Sequence, residues 1–459
     1  MADNIRHFLL RFFIEYNQKE WYNNLLVCKS LKNGEKMKKT IIQKIFISDE
    51  TNTKSNFLWN TIGTGMLAAA TMLFTVIVAH LSGEKAGGQF SFALTIGQWI
   101  GTIAYFELRT FQVTDVARKY SYAEYFYAKI FCCMLAIFAG AIYVMFRGGT
   151  AEKALFIFLL CVYKILDGYS DLYEGELQRY GRIDIAGKLL FWRVSGGILI
   201  LTVGILLTQN LAVAVVAMIL YSSLLIFVIN EKALRVFEKG KLIFRQKEVV
   251  TVLIECLPLF LSSFLNTYVY SASRMSVDKV LDSRYQLYYA AIFMPVMIIN
   301  LFSTFVFKPL LSVMAEDYEQ KRKRQFFLLI FKVCAIIAAV TAVCVAGAYL
   351  LGIPVLSILY GINLEAYKID LLILLLAGGI NALAFFMYYI LTIMRKQKYA
   401  LVGYGIEAVA AFLISDQLVR KYAIRGASLS YLTAVTVLLT TFVLFMIYNI
   451  WRGKKKNEE

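Results

Sequence analysis

Between Phe57 and Leu81 the chain runs without a single Asp, Glu, Lys or Arg. A short segment, SGEKAGG (Ser82–Gly88), separates this run from a second apolar run, Gln89–Leu108. A hydrocarbon core of about 30 Å takes roughly 20 apolar residues to cross as a helix, and both runs are long enough. A transmembrane hairpin with a glycine-bearing turn is expected. Similar runs recur near 57–81, 89–108, 124–146, 153–173, 185–208, 211–230, 250–272, 286–309, 326–350, 369–393, 399–419 and 426–450. With 59% hydrophobic and 17% charged residues over 459 positions, a soluble domain is excluded. The expected fold is all-α and integral to the membrane, with about twelve transmembrane helices.

Orientation follows from the basic residues. With the N-terminus inside, the inner segments hold about 33 Lys and Arg and the outer loops about 10, which places both termini in the cytoplasm. The same asymmetry accounts for most of the net charge of +17, so no nucleic-acid partner is inferred from it. The seven cysteines form no CxxC pair and no disulfide framework.

Residues 1–56 precede the first run and lack the core and cleavage site of a signal peptide. Residues 1–36 are expected to lie upstream of a true start at Met37, because Gly34-Glu35 can be encoded as a ribosome-binding sequence. The alternative is an aromatic interfacial helix. Intact-mass measurement of the native protein separates the two.

The basic segment 231–249 divides an N-terminal six-helix bundle, 57–230, from a C-terminal one, 250–450, and a basic tail 451–459 follows. Gln89-Phe90-Ser91-Phe92-Ala93 opens the second run and Gln286-Leu287-Tyr288-Tyr289-Ala290 the eighth. Six is even, so the two halves share one orientation. A parallel pseudo-repeat about an axis along the membrane normal follows.

No GxxxxGK[ST] sequence, nucleophile–base pair or metal-ligating cluster is present, and with two histidines in the chain neither enzyme chemistry nor a cofactor is expected. Ionisable residues inside the apolar runs or at their mouths carry more information, since an intramembrane charge is costly and faces a partner or a cavity. They are Arg109, Lys129, Lys164, Asp167, Asp171, Glu174 and Arg193 in the first half, and Glu255, Arg274, Asp278, Lys308, Lys332, Glu407 and Asp416 in the second. Lys164 and Asp167, one turn apart, can neutralise one another.

Ser91, Thr95, Gln98, Thr102, Tyr105 and Arg109 recur at steps of four and three and share one helix face. Ser263, Thr267, Tyr270 and Arg274 make a comparable stripe, and Asn300, Thr304 and Lys308 a third. Converging stripes would line a cavity with hydroxyls and amides, suited to a sugar, and with cations at its mouths, suited to a diphosphate. Small polar residues that only join helices are the alternative. All four prolines lie in the second half, which makes the seventh and eighth runs candidate hinges.

The segments SGEKAGGQFSFA and FELRTFQVTDVARKYS, with RMSVDKVLDSRYQLYYAAIFMPVMIINL, VFKPLL and GIPVLSILYG in the second half, resemble the Wzx-type lipid-linked oligosaccharide flippases of bacteria. These polysaccharide biosynthesis proteins belong to the multidrug/oligosaccharidyl-lipid/polysaccharide exporter superfamily. The resemblance spans Met37 to Tyr448. It implies two six-helix bundles around a V-shaped cavity in a bacterial inner membrane. The cargo would be an undecaprenyl-diphosphate-linked glycan, moved outward among membrane lipids and passed to a polymerase of the same pathway. Substrate-binding residues would be Arg109, Arg274 and Lys308, with Gln98, Thr102, Asn266 and Asn300; Glu255, Asp278 and Glu107 are candidates for coupling to a cation gradient. His80 stands where family members often carry Arg. A drug or metabolite exporter of the same superfamily is the first rival, but its cavity would be acidic. A membrane polysaccharide polymerase is the second, but the outer stretches near 273–285 and 351–368 are short.

Overall fold

The computed structural model describes residues 53–115, 118–147, 149–307, 310–320, 322–394 and 396–458. Expectations for residues 1–52, including the start at Met37, and for Lys308 and Pro309 lie outside the described residues.

The described chain is helical from end to end. In order come α1 (Thr53–Tyr105), α2 (Leu108–Thr114), α3 (Tyr122–Arg147), α4 (Ala151–Arg179), α5 (Ile183–Thr208) and α6 (Leu211–Leu224). A π-helical turn at Leu225–Asn230 carries α6 into α7 (Glu231–Leu234). After the linker follow α8 (Gln246–Val280), α9 (Ser283–Phe307), α10 (Leu311–Glu319) and α11 (Lys323–Gly347), which continues through a π segment, Ala348–Gly352, into α12 (Ile353–Tyr360). The chain closes with α13 (Lys368–Ile393) and α14 (Gln397–Glu458).

Two of these helices are hairpins. α1 is broken at Gly83 (φ 85, ψ 170) and α14 at Ala423 (φ 53, ψ −130), and the arms fold back on one another. The turn expected over Ser82–Gly88 is therefore a single non-helical residue. Gly83 absorbs the whole reversal because only glycine occupies that backbone region at low cost, and Glu84 already begins the second arm. Among the described residues nine helical stretches are long and apolar enough to cross a membrane. Each hairpin supplies two crossings, and α4, of 29 residues, is long enough but too charged to qualify on composition. Twelve crossings result.

Several cores hold the helices, and α8 takes part in those of both halves, with Val252 and Cys256 in the one around Tyr125 and Val269 in the one around Tyr289. In the first half Phe74, Phe90, Leu160, Tyr163, Val194 and Met218 form one core, and Tyr125, Leu172, Tyr173 and Leu189 another. In the second half the cores are built around Val269, Tyr289, Val296, Leu371 and Tyr431, and around Phe307, Val333, Phe386 and Phe442. Helices meet closely where side chains are small, as membrane packing favours. A Cβ on Gly63 of α1 would lie 2.5 Å from the carbonyl of Gly187 on α5, and one on Gly187 would lie 2.3 Å from that of Trp59. Outward faces carry large exposed apolar side chains such as Phe138, Leu207, Phe331 and Ile358, which water would penalise and hydrocarbon accepts.

The reversal of α1 and the turn between α8 and α9 lie at the same end of the molecule, here called the Gly83 end; residues 107–115, 118–121 and 235–245 lie at the other, the linker end. The two halves thus run in parallel, and they meet through α1 and α8: Ala79 packs into a core of the second half, and Phe264 and Met275 against one of the first.

Candidate functional site

The polar stripe on the second arm of α1 meets the stripe on α8 near the Gly83 end. Ser91 and Thr95 are buried, and both accept hydrogen bonds from Arg274 Nη1, at 3.2 and 2.6 Å. The guanidinium lies over Tyr289 and Phe293 of α9, 6.0 and 5.8 Å from the ring centres. Gln286, in the first turn of α9, donates to the backbone carbonyl of Arg274 at 2.7 Å. Among the described residues no carboxylate pairs with Arg274. Hydroxyls and ring faces hold the cation without neutralising it.

The other residues expected at the site divide between this interface and elsewhere. Gln98 donates to Thr71 on the facing arm at 3.0 Å, and Thr102 donates to the Trp99 carbonyl of its own helix at 2.6 Å. Asn300 donates to the Tyr270 hydroxyl at 3.0 Å and accepts from Asn381 at 3.3 Å, which links α8, α9 and α13 by amide and hydroxyl groups. Asn266 is half-buried on α8, midway along the chain between Phe264 and Tyr268, both of which contact Trp99.

Arg109 is placed differently. It lies on α2, beyond a helix break where Phe106 and Glu107 both adopt left-handed backbone (φ 50 and 54). Its guanidinium pairs with Asp171 at 3.1 Å and Glu174 at 2.8 Å and donates to Gln178 at 3.1 Å, all on α4. These carboxylates belong to a larger network. Lys164 bridges to Asp167 at 3.0 Å, and Arg193 of α5 pairs with Asp167 and reaches Glu174 at 3.7 Å. Lys129 of α3 donates to the carbonyls of Ala104 and Tyr105, each at 3.1 Å. Those carbonyls end the second arm of α1, where the break leaves them without helical partners. Asp167, Asp171 and Glu174 stand at i, i+4 and i+7, so the spacing needed to see this acidic face is present in the sequence. What pairs with it is long-range. Arg109 therefore sits in an internal charge lattice of the first half, not beside Arg274.

The three coupling candidates are also engaged. Glu255 is exposed at the linker end and accepts from Lys119 at 2.9 Å and from the Tyr120 hydroxyl at 3.2 Å. Glu107 accepts from Thr110 at 2.9 Å. Asp278 takes both carboxylate oxygens to Lys153 of α4, at 2.7 and 2.8 Å, across the boundary between the halves. Glu407 behaves otherwise: it is 1% exposed inside the second half, and one carboxylate oxygen has no partner.

Several bonds between the halves collect at the Gly83 end. Besides Lys153–Asp278 and Arg274, Tyr288 donates to Glu84 at 2.6 Å and His80 Nε2 lies 2.9 Å from the Leu359 carbonyl. At the linker end the halves are joined at α8 by the Glu255 bonds and a stack of Phe106 on Phe260 with centroids 4.2 Å apart. Glu84 and Lys153 had no distinguishing sequence signal, since each sits in an ordinary polar flank, and Tyr288 carried only its place in the pattern that opens the eighth run.

No family model and no curated protein matches the chain. Solved structures do. An inward-facing multidrug resistance MATE transporter of the MOP superfamily matches at 13% identity with a TM-score of 0.57, over 91% of this chain and 99% of that one. The lipid II flippase MurJ, inward closed, matches at 13% identity and a TM-score of 0.62, over 85% and 87%. A MOP superfamily transporter from Pyrococcus furiosus, described by a binding pocket of reverse polarity, matches at 14% identity and 0.51, over 91% and 100%. The chain has the fold of these transporters. At such identities the likeness establishes the architecture of a multi-pass membrane transporter fold and leaves the cargo to the site itself.

Proposed function

We propose that the protein is a flippase that carries a polyprenyl-diphosphate-linked oligosaccharide from the cytoplasmic to the outer leaflet of a bacterial inner membrane by alternating access. Arg274 carries the proposal. A guanidinium held at the junction of the two halves by Ser91 and Thr95, with no carboxylate paired to it among the described residues, offers hydrogen-bond donors and positive charge to an anionic headgroup, and a diphosphate fits its paired donors. The amides and hydroxyls of Gln98, Asn266, Tyr270, Asn300 and Asn381 offer hydrogen bonds to sugar, while the prenyl tail stays in lipid. A glycan headgroup has no affordable route through hydrocarbon, which is why a protein path is needed.

In this reading the Gly83 end is the outer end, the termini are cytoplasmic, and the bonds collected there close the outer mouth. Opening it breaks Lys153–Asp278, which gives Asp278 a role in the cycle independent of any coupling ion. The product leaves toward a polymerase of the same pathway.

The drug-exporter alternative draws on Glu407, a buried acid in the second half that would attract a cationic compound. Deletion of the gene, followed by leaflet-resolved quantification of lipid-linked repeat units, separates the two. Cytoplasmic-leaflet accumulation that wild type corrects and Arg274→Ala does not supports the flippase and its site. New sensitivity to cationic drugs without accumulation favours the exporter, and unpolymerised units on the outer leaflet indicate a polymerase.

A further inference from the structure

A groove of about 730 Å³ runs between α11 and α13 on the membrane-facing side of the second half. Its floor is made of small residues, Ala338, Ala342 and Ala346 with Gly379, and its walls include Tyr349, Leu350 and Leu376. The two helices touch at the floor, where a Cβ on Gly379 would come within 2.4 Å of the Thr341 side chain. Substitution of larger residues along the floor would fill the groove, so its shape follows from residue size.

Three further observations restrict what it holds. From Ala338 to Leu350 the groove follows twelve helical steps, about 18 Å at 1.5 Å per residue, which is close to one leaflet of a core about 30 Å thick. It begins at the Gly83 end, where α11 passes into the π segment Ala348–Gly352, an irregularity common at functional positions. At that mouth Lys368 places its ammonium 3.9 Å above the ring of Tyr349 and has no ion pair among the described residues. Asp370, two residues on, is already paired with Arg425 at 3.4 Å, and Glu365 is exposed to solvent.

We propose that this groove is a binding site for an anionic phospholipid, one acyl chain lying against Ala338, Ala342 and Ala346 and the phosphate against Lys368. An ordinary acyl chain matches a groove one leaflet long. A long prenyl chain would overrun it, so the site is separate from the transport path and does not depend on the cargo. The aromatic ring beneath the ammonium positions the cation at the interfacial level, where tyrosine is at home.

The test uses the full chain, purified in detergent and offered an equimolar mixture of phosphatidylglycerol and phosphatidylethanolamine, with the retained lipid counted by native mass spectrometry. Wild type is expected to retain phosphatidylglycerol about fivefold over phosphatidylethanolamine, the preference one interfacial cation supplies. Lys368→Gln should bring the ratio to parity while still retaining lipid, and Ala342→Trp should remove most of the lipid. Because the tryptophan variant can fail to fold, Lys368→Gln at the surface stands as the independent variant. Equal retention of the two lipids by wild type, an unchanged ratio in Lys368→Gln, displacement of the preference by inorganic phosphate without loss of lipid, or polyprenyl phosphate as the retained molecule would overturn the assignment.

Discussion

At the scale of residues, the contrast between two arginines organises the chemistry. Arg193 is 2% exposed and lies between Asp167 and Glu174, so its charge is spent inside the first half. Arg274 has hydroxyls and rings for company and keeps its charge available. Removal of the first should cost stability and removal of the second should cost transport. Arg193→Leu takes one cation from two buried carboxylates, leaving Lys164 on Asp167 and Arg109 on Glu174, and is expected to lower stability by about 3 kcal/mol, read as a fall in the melting temperature of the detergent-purified protein. Arg274→Ala should leave that melting temperature within a few degrees and abolish surface polysaccharide, with Arg274→Lys intermediate because a point charge replaces a planar fork. A melting curve for Arg193→Leu that superimposes on wild type would show the lattice to be dispensable.

Helices and their breaks come next. The hairpin in α1 depends on one glycine in a backbone region costly to other residues, so Gly83→Ala should cost about 1–3 kcal/mol and loosen the contacts of Glu84 and His80. Hydrogen exchange at residues 80–90 measures it. At the other end, the loop after α2 is tied by Asp115. Burial opposes its ionisation, but the backbone N–H groups of Tyr120 and Lys119, the Tyr125 hydroxyl and Arg179 together hold its carboxyl below the ordinary range. A lowered folded value means that this contribution is complete above the unfolded value, about 3.9, and is lost as pH falls through the folded one. Amide protection at Lys119 and Tyr120 should therefore persist from neutral pH to below about pH 4 and then collapse. Asp115→Asn should weaken the protection at neutral pH and flatten its pH dependence.

For the whole molecule the question is how the halves move. Among the described residues their bonds gather at the Gly83 end and are fewer at the linker end, where Glu255 and Phe260 of α8 carry them. Cysteines placed at Lys153 and Asp278, in a background without the native thiols, should cross-link under mild oxidation and stop export, with reductant restoring it. Full export by a quantitatively cross-linked protein would rule out opening at this end.

Much of the architecture was legible before any coordinates. Apolar runs of spanning length, the linker at 231–249 and the match between Gln89 and Gln286 are local or periodic signals, and a bilayer allows few answers to them. The stripes on the second arm of α1 and on α8 were legible for the same reason, because a 3.6-residue period assigns a face. Arg109 marks the limit. Its position continues the stripe that holds Ser91 and Thr95, yet left-handed residues at Phe106 and Glu107 break the helix just before it and turn it toward α4. Periodicity assigns a residue to a face only while the helix lasts. Which acid meets which cation, as with Lys153 and Asp278, and which carboxylate is left without a partner, as with Glu407, are contacts between segments far apart in the chain. The sequence determined the number, order and membrane character of the helices, since each depends on a window of neighbours. Only the tertiary structure decided which charges are spent and which remain free, because neutralisation depends on distances in space.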